Sequence, residues 1–120
     1  LGVFCTAPAV RHLPANALSE GIATFALVFV GGAIIEKQLL PGLVAPLGGA
    51  VVWGIGLSLG GTTGYAINPA RDFAPRLAHA VLPIPGKGSS DWGYAWVPVI
   101  GPFVGGALAA VAVRMLFVLR

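Results

Sequence analysis

The 120-residue sequence predicts an all-α membrane protein: three transmembrane helices, with one re-entrant half-helix between the second and the third. Three observations predict it. Hydrophobic residues make up 57% of the chain and charged residues 9%, against about 25% charged in soluble globular domains. That leaves too little polar surface to face water, so a multi-pass place in a lipid bilayer follows. From Gln38 to Ala70 there is no Asp, Glu, Lys or Arg. A straight helix of that length would extend roughly 50 Å, well past a hydrocarbon core of about 30 Å, so the run has to break. Then Asn68-Pro69, a good N-cap followed by the preferred first helical residue, opens a short charged stretch.

Residues 1–17 hold Pro8, Arg11, His12 and Pro14 and read as a polar-leaning, irregular connecting segment. The first spanning helix is expected over 18–36. Its apolar run ends at Glu36-Lys37, and Ser19 is the candidate cap at its start. Pro41-Gly42 marks a turn, and the second spanning helix is expected over 43–61. Pro46 sits in its first turns, and Gly60-Gly61-Thr62-Thr63-Gly64 breaks it. Residues 62–68 form an extended re-entrant segment, uncharged through Ala66 and Ile67.

The half-helix is expected over 69–80, too short to cross a bilayer. It carries Arg71, Asp72, Arg76 and His79, so it is not bathed in lipid, and Pro83 and Pro85 follow its end. Non-helical backbone at membrane depth is tolerated where protein or a water-filled cavity satisfies it. The loop 81–92 returns to water, Trp92, Tyr94 and Trp96 form an interfacial aromatic anchor, and the last spanning helix covers 95–117. With Arg114 and Arg120 in the cytoplasm near Glu36-Lys37, the half-helix and residues 1–17 face outside. Arg11, Arg76 and Lys87 then lie outside, so the positive-inside margin is small.

Composition also excludes function classes. A net charge of +3 from seven basic and four acidic residues is no polybasic patch, so nucleic acid is not an expected partner. Cys5 is the only cysteine, His12 and His79 are far apart, and no Cys-x-x-Cys occurs. No internal disulfide, metal site or cofactor is expected, and these three residues read as ordinary structural ones. "GIGLSLGG" (54–61) has Gly-x-Gly spacing without the strand–turn–helix context of a nucleotide loop. No nucleophile–base set is visible, so no catalytic residue is assigned and an enzyme is not expected. There is no signal-peptide pattern, and the start at Leu1 rather than Met points to part of a longer protein.

A half-helix that starts at the membrane centre has chemical consequences. Its first N–H groups are unpaired, and its dipole puts partial positive charge at the midplane. Beside them, the Asn68 amide is both donor and acceptor, and the carbonyls of Gly64, Tyr65, Ala66 and Ile67 can accept hydrogen bonds from a passing solute. Arg71 adds fixed donors and a permanent charge. Positive potential repels cations and disfavours protons, while a neutral hydroxylated solute is accepted. Asp72 and Arg76 form an i,i+4 acid-then-base pair, a favourable order on a helix. Glu20, in the first apolar run, has to be paired or protonated if buried. Gly56 and Gly60, like Gly101 and Gly105, have the small-xxx-small spacing of helix packing.

Asn68-Pro69-Ala70-Arg71 resembles the second Asn-Pro-Ala-Arg box of the major intrinsic protein (aquaporin) family, which includes the glycerol facilitators. With the Gly-rich unwinding before it and "VPVIGPFVGG" after it, the resemblance covers nearly the whole chain as the C-terminal half, or second repeat, of such a channel. It implies a passive channel that needs the missing N-terminal half of the same chain, whose matching asparagine Asn68 would face. It also implies a homotetramer with one pore per subunit, in a bacterial inner (plasma) membrane. Asp72 after the arginine, Arg76 four residues on, and Pro98-Val99 in the last helix resemble the glycerol-conducting subclass. The family's narrow filter takes positions twelve and three residues before the asparagine, here Gly56 and Tyr65. Glycine adds no bulk, Tyr65 offers a wall for a carbon backbone, and Arg71 faces hydroxyls, so glycerol and other small uncharged solutes, with water, are the implied permeants. A glutamate at the place of Glu20 resembles the family residue that accepts hydrogen bonds from the re-entrant loop. The alternatives are a water-selective channel and a secondary transporter with inverted repeats and coupling-ion ligands.

Overall fold

The computed structural model describes residues 1–37 and 41–119, so the expected place of Arg120 beside Arg114 falls outside it. Among the described residues there are four α-helices and no strand. They are α1 (Leu13–Glu36), α2 (Pro41–Thr63), α3 (Pro69–Val81) and α4 (Val97–Val113), the last continued by a wider π-helical turn, Arg114–Val118. Three stretches, Leu13–Glu36, Gly42–Thr63 and Val97–Val118, are long and apolar enough to cross a membrane. The 13 residues of α3 reach only about 20 Å.

Helix α1 starts at Leu13, five residues before the expected 18, and Ser19 does not cap it. His12 is the cap: it is extended (φ −138°), and its Nδ1 accepts from the Ala15 N–H at 3.3 Å. Asn16 Oδ1 accepts in return from the His12 N–H at 3.0 Å. Two backbone donors at the helix start, the Ala15 and His12 N–H groups, are thereby satisfied, in the manner of a capping box, and Pro14 fits the first turn without losing a bond. Helix α2 likewise begins at Pro41, where the sequence reading puts a turn, and it runs through Gly60-Gly61 to Thr63. The glycine pair does not end the helix. Gly64 does, in the left-handed region (φ +79°), with its N–H on the Gly60 carbonyl at 2.9 Å.

Helices α1 and α4 run parallel and pack through glycine. A Cβ on Gly101 would lie 2.8 Å from the Ala17 carbonyl oxygen and from Glu20 Cβ. One on Gly105 would run into the Gly21 backbone, and Gly32 faces Val113 further along. Without a hydrophobic drive between helices in lipid, close backbone approach of this kind supplies the packing. Helix α2 runs antiparallel to α1. Thr63 meets Glu20 at one end, and Ala23, Ile55 and Ile67 pack together further along with Leu27 and Val51.

The expected irregular, polar-leaning 1–17 is instead a strap of residues 1–12 followed by helix. Its residues Cys5 and Thr6 are buried, and the Ala9 N–H donates to the Thr62 carbonyl at 3.0 Å. The last spanning helix starts at Val97 rather than 95, because residues 91–97 form successive tight turns, opened by Asp91 at φ +51°. In those turns Trp92 and Trp96 are exposed, but Tyr94 is fully buried and is no interfacial anchor. The Arg11 and Arg76 guanidinium groups lie 5.6 and 5.9 Å from its ring centroid.

The α1–α4 seam has little room. In the full-length protein, Gly105→Ala should lower stability by about 1–3 kcal/mol, the usual range for overpacking. Gly106→Ala, whose new Cβ would meet only Thr24 and Val28 methyls at 3.8 and 3.9 Å, should be near neutral. Thermal midpoints in detergent compare the two, and equal midpoints would mean that the seam opens freely.

Candidate functional site

Between α2 and α3 the chain turns back through Gly64, Tyr65, Ala66 and Ile67. Two of these are unusual: Tyr65 (φ +40°) and Ile67 (φ +42°) sit at positive φ without being glycine. For β-branched Ile67 that is a true outlier, and such residues cost about 1–3 kcal/mol each. The compensation comes from Glu20. Its side chain is fully buried, Oε1 accepts from Thr63 Oγ1 at 2.6 Å and from the Ala66 N–H at 2.9 Å, and Oε2 accepts from the Ile67 N–H at 2.7 Å. Hydrogen bonds to a charged group contribute about 1.5–3 kcal/mol each, enough to offset two strained residues.

The consequence is an asymmetric backbone. Glu20 takes the Ala66 and Ile67 N–H groups on one side, and the side chains of Ala66 and Ile67 are buried there too. The carbonyls of Gly64, Tyr65, Ala66 and Ile67 meet no donor among the described residues. Asn68 follows, extended (φ −159°). Its Oδ1 accepts from the Ala70 and Arg71 N–H groups at 2.9 and 3.2 Å, and Pro69 takes the first turn of α3. This bonding leaves Asn68 Nδ2 as a donor without a partner among the described residues. Asn68, Ala70 and Arg71 are exposed, and Pro69 is half-buried.

Gly56 and Tyr65 meet. A Cβ on Gly56 would lie 3.1 Å from Tyr65 Cζ and 3.3 Å from its hydroxyl oxygen, and one on Gly60 would lie 2.6 Å from Cδ1. The ring therefore rests on two glycines of α2, and 38% of Tyr65 stays exposed. This is why Gly60 does not break the helix: it is the seat for an aromatic ring.

On its other face α3 inverts the usual pattern. Asp72, Arg76 and His79, at i, i+4 and i+7, are its buried side. Asp72 Oδ1 accepts from Arg76 Nε at 2.8 Å, and both side chains are completely buried. Arg76 Nη1 donates to the carbonyls of Ser90 (2.8 Å) and Asp91 (3.1 Å), and Nη2 donates to that of Thr6 (2.9 Å). His79 Nδ1 lies 2.8 Å from Ser90 Oγ. Arg76 is thus no exposed charge, and it drops out of the basic-residue count. Lys87 Nζ donates to the Ala80 and Leu82 carbonyls, both at 2.7 Å, which closes the C-terminal end of α3. Pro98 is buried in the first turn of α4, and Val99 lines a groove with Pro69, Ala70 and Phe73.

Thr6, Thr63, Ser90 and Tyr94 escaped the sequence reading as site residues. Only Thr63, at the end of α2, had a positional signal. Tyr94 Oη is the one buried side-chain polar atom without a partner among the described residues. Burial pushes its phenol well above the ordinary range, with the Glu20 and Asp72 charges adding to the effect.

Glu20→Ala in the full-length protein removes the acceptor of three buried donors, at about 1–3 kcal/mol for each donor left unpaired. Folded yield and thermal midpoint should both fall clearly. Parental values for both would mean that the re-entrant segment stands without Glu20.

The model for the family described as "Major intrinsic protein" matches residues 3–113. The chain is 60% identical over 117 residues to the probable glycerol uptake facilitator protein of Thermotoga maritima, covering 98% of this chain and 50% of that one. It is 60% identical over 111 residues to the glycerol uptake facilitator protein of Bacillus subtilis (92% and 40%). It is 53% identical over 111 residues to the D/L-lactic acid transporter of Lactiplantibacillus plantarum (90% and 45%). The chain spans about half the length of these curated relatives. With a family model matched over nearly its whole length, and with the three spans and the half-helix described above, the chain belongs to the major intrinsic protein family.

Proposed function

We propose that the protein to which this chain belongs is a passive channel for glycerol and other small uncharged solutes, with water also passing. It is not an enzyme. The observation that carries this reading is the asymmetry of the re-entrant segment: N–H groups bound by Glu20, and four carbonyls that meet no donor among the described residues. A solute with hydroxyl groups finds acceptors in that row and donors in Asn68 Nδ2 and the Arg71 guanidinium. The Tyr65 ring, resting on Gly56 and Gly60, offers its CH edge an apolar wall. Arg71 and the partial positive charge at the start of α3 repel cations. Gly64, Ala66 and Ile67 contribute backbone only, and Pro69 and Ala70 hold the turn into α3. Asp72, Arg76, Pro98 and Val99 shape the half-helix and its seat on α4 without touching solute.

A pore needs a second wall, which the proposal assigns to an N-terminal half carrying its own Asn-Pro-Ala-like box, in a homotetramer with one pore per subunit. The strap and the loop 82–96 face outside a bacterial plasma membrane, and Lys37 and Arg114 lie inside. Relatives named for glycerol uptake support the solute class. The relative named for lactic acid supports a slot that admits more than one kind of small molecule. Against a coupled transporter stands the state of the two buried carboxylates: both oxygens of Glu20 and both of Asp72 already accept hydrogen bonds from the protein.

Gly56→His tests the filter. A side chain at this position meets the Tyr65 ring at once, so the imidazole narrows the slot where the carbon edge slides. In proteoliposomes of the full-length protein, stopped-flow light scattering should show glycerol permeability reduced by at least about tenfold, equivalent to about 1.4 kcal/mol on the barrier. Water permeability should be retained in part. Unchanged glycerol flux through a well-folded variant would remove position 56 from the filter.

A further inference from the structure

Thr6 lies in the strap, outside any helix, yet it is 5% exposed. Its N–H and its hydroxyl both donate to Asp72 Oδ2, at 2.8 and 2.7 Å. Its carbonyl accepts from Arg76 Nη2 at 2.9 Å. Its Cγ2 packs on the re-entrant backbone, 3.3 Å from where a Gly64 Cβ would be. One strap residue therefore touches both arms of the re-entrant turn: Gly64, which precedes Tyr65, and Asp72, which follows Arg71. Glu20 binds the middle of the segment from behind, and the Ala9 N–H binds only the end of α2.

We propose that Thr6 is a positioning residue for solute selection: through its hydroxyl bond to Asp72 it fixes the strap on α3 and so sets the spacing between the Tyr65 ring and the Arg71 guanidinium. This rests on the channel reading above. Neither the Tyr65 hydroxyl nor the Arg71 guanidinium has a hydrogen bond of its own among the described residues, so their spacing is set by the backbone that carries them. Tyr65 is at positive φ, with its ring leaning on two glycines, and Arg71 is exposed, with its backbone N–H on Asn68 Oδ1 but no hydrogen-bond partner for its guanidinium among the described residues. The donor count at Asp72 explains why the hydroxyl matters. Oδ1 is occupied by Arg76, and Oδ2 has the Thr6 N–H and hydroxyl. Removing the hydroxyl leaves a buried carboxylate oxygen short of a donor, in a network that also carries the carbonyls of Ser90 and Asp91.

Two variants separate hydrogen bond from shape. Thr6→Val keeps the volume and the methyl against Gly64 but loses the donor; Thr6→Ser keeps the donor. Each is made in the full-length protein, and two quantities are read. The first is the glycerol-to-water permeability ratio in proteoliposomes. The second is the rate at which a maleimide labels Cys5, followed by mass spectrometry of its peptide. Cys5 is buried beside Thr6, and burial raises its thiol pKa against the opposing charge of Arg76, so the parent labels slowly.

Thr6→Val should change the permeability ratio by about threefold or more, the effect of losing one hydrogen bond to a charged group in part. It should also speed Cys5 labelling by a similar factor. Thr6→Ser should return both to parental values at equal folded yield. A Thr6→Val protein with the parental ratio overturns the inference, whether or not Cys5 is exposed. An equal defect in both variants also overturns it, because it assigns the effect to general loosening rather than to the hydroxyl. A parent without glycerol flux above that of empty vesicles sinks the channel reading and this inference together. A conducting parent with an unaffected Thr6→Val sinks the inference alone.

Discussion

The structure depends on one carboxylate inside an apolar helix. Glu20 accepts from Thr63, Ala66 and Ile67, and without it residues 64–67 would have no reason to hold their shape. They belong to no helix or strand, and two of them sit at backbone angles that L-residues avoid. A buried, unpaired N–H costs about as much as a lost hydrogen bond, so a stretch like this inside a bilayer needs a local acceptor. The glutamate supplies it from α1, which is fixed in turn by glycine packing against α4. Helix packing, buried charge and strained backbone are one arrangement, and its product is a row of carbonyls that meet no donor among the described residues.

The half-helix is organised by the same division of faces. Its buried side holds a carboxylate, a guanidinium and an imidazole, each with partners inside the protein. Its open side starts at Asn68 and Arg71. Charge burial is tolerable because the donors and acceptors are matched: Arg76 reaches three backbone carbonyls as well as Asp72, drawn from the strap and from the loop before α4. The partners lie far apart in sequence, so the network ties two loop regions to a helix that is too short to anchor itself by crossing the membrane.

Much of this was legible in the sequence, for identifiable reasons. An uncharged stretch longer than a bilayer, followed by Asn-Pro, can be read from length and capping chemistry alone. A glutamate in an apolar run marks itself by its cost. What stayed hidden depended on contacts over long sequence separations. Thr6 meets Asp72 across 66 positions, and no local pattern marks a threonine in a loop. His12 was passed over as a cap because serine is the commoner one, and Tyr94 was grouped with its exposed tryptophan neighbours although it is buried. Gly60-Gly61 looked like a stop because the ring that rests on Gly60 comes from five residues further on. The positive φ of Tyr65 and Ile67 had no sequence signal at all, since neither residue type favours it.

Glu20 binds the N–H side of the re-entrant segment, and the carbonyl side meets no donor among the described residues. Amide hydrogen exchange of the full-length protein in lipid nanodiscs, resolved to single residues, tests this directly. The Ala66 and Ile67 amides should exchange as slowly as those inside α2, although neither residue is helical, while the neighbouring Tyr65 amide, which has no acceptor among the described residues, should exchange quickly. Ala66 and Ile67 exchanging as fast as Tyr65 would contradict it.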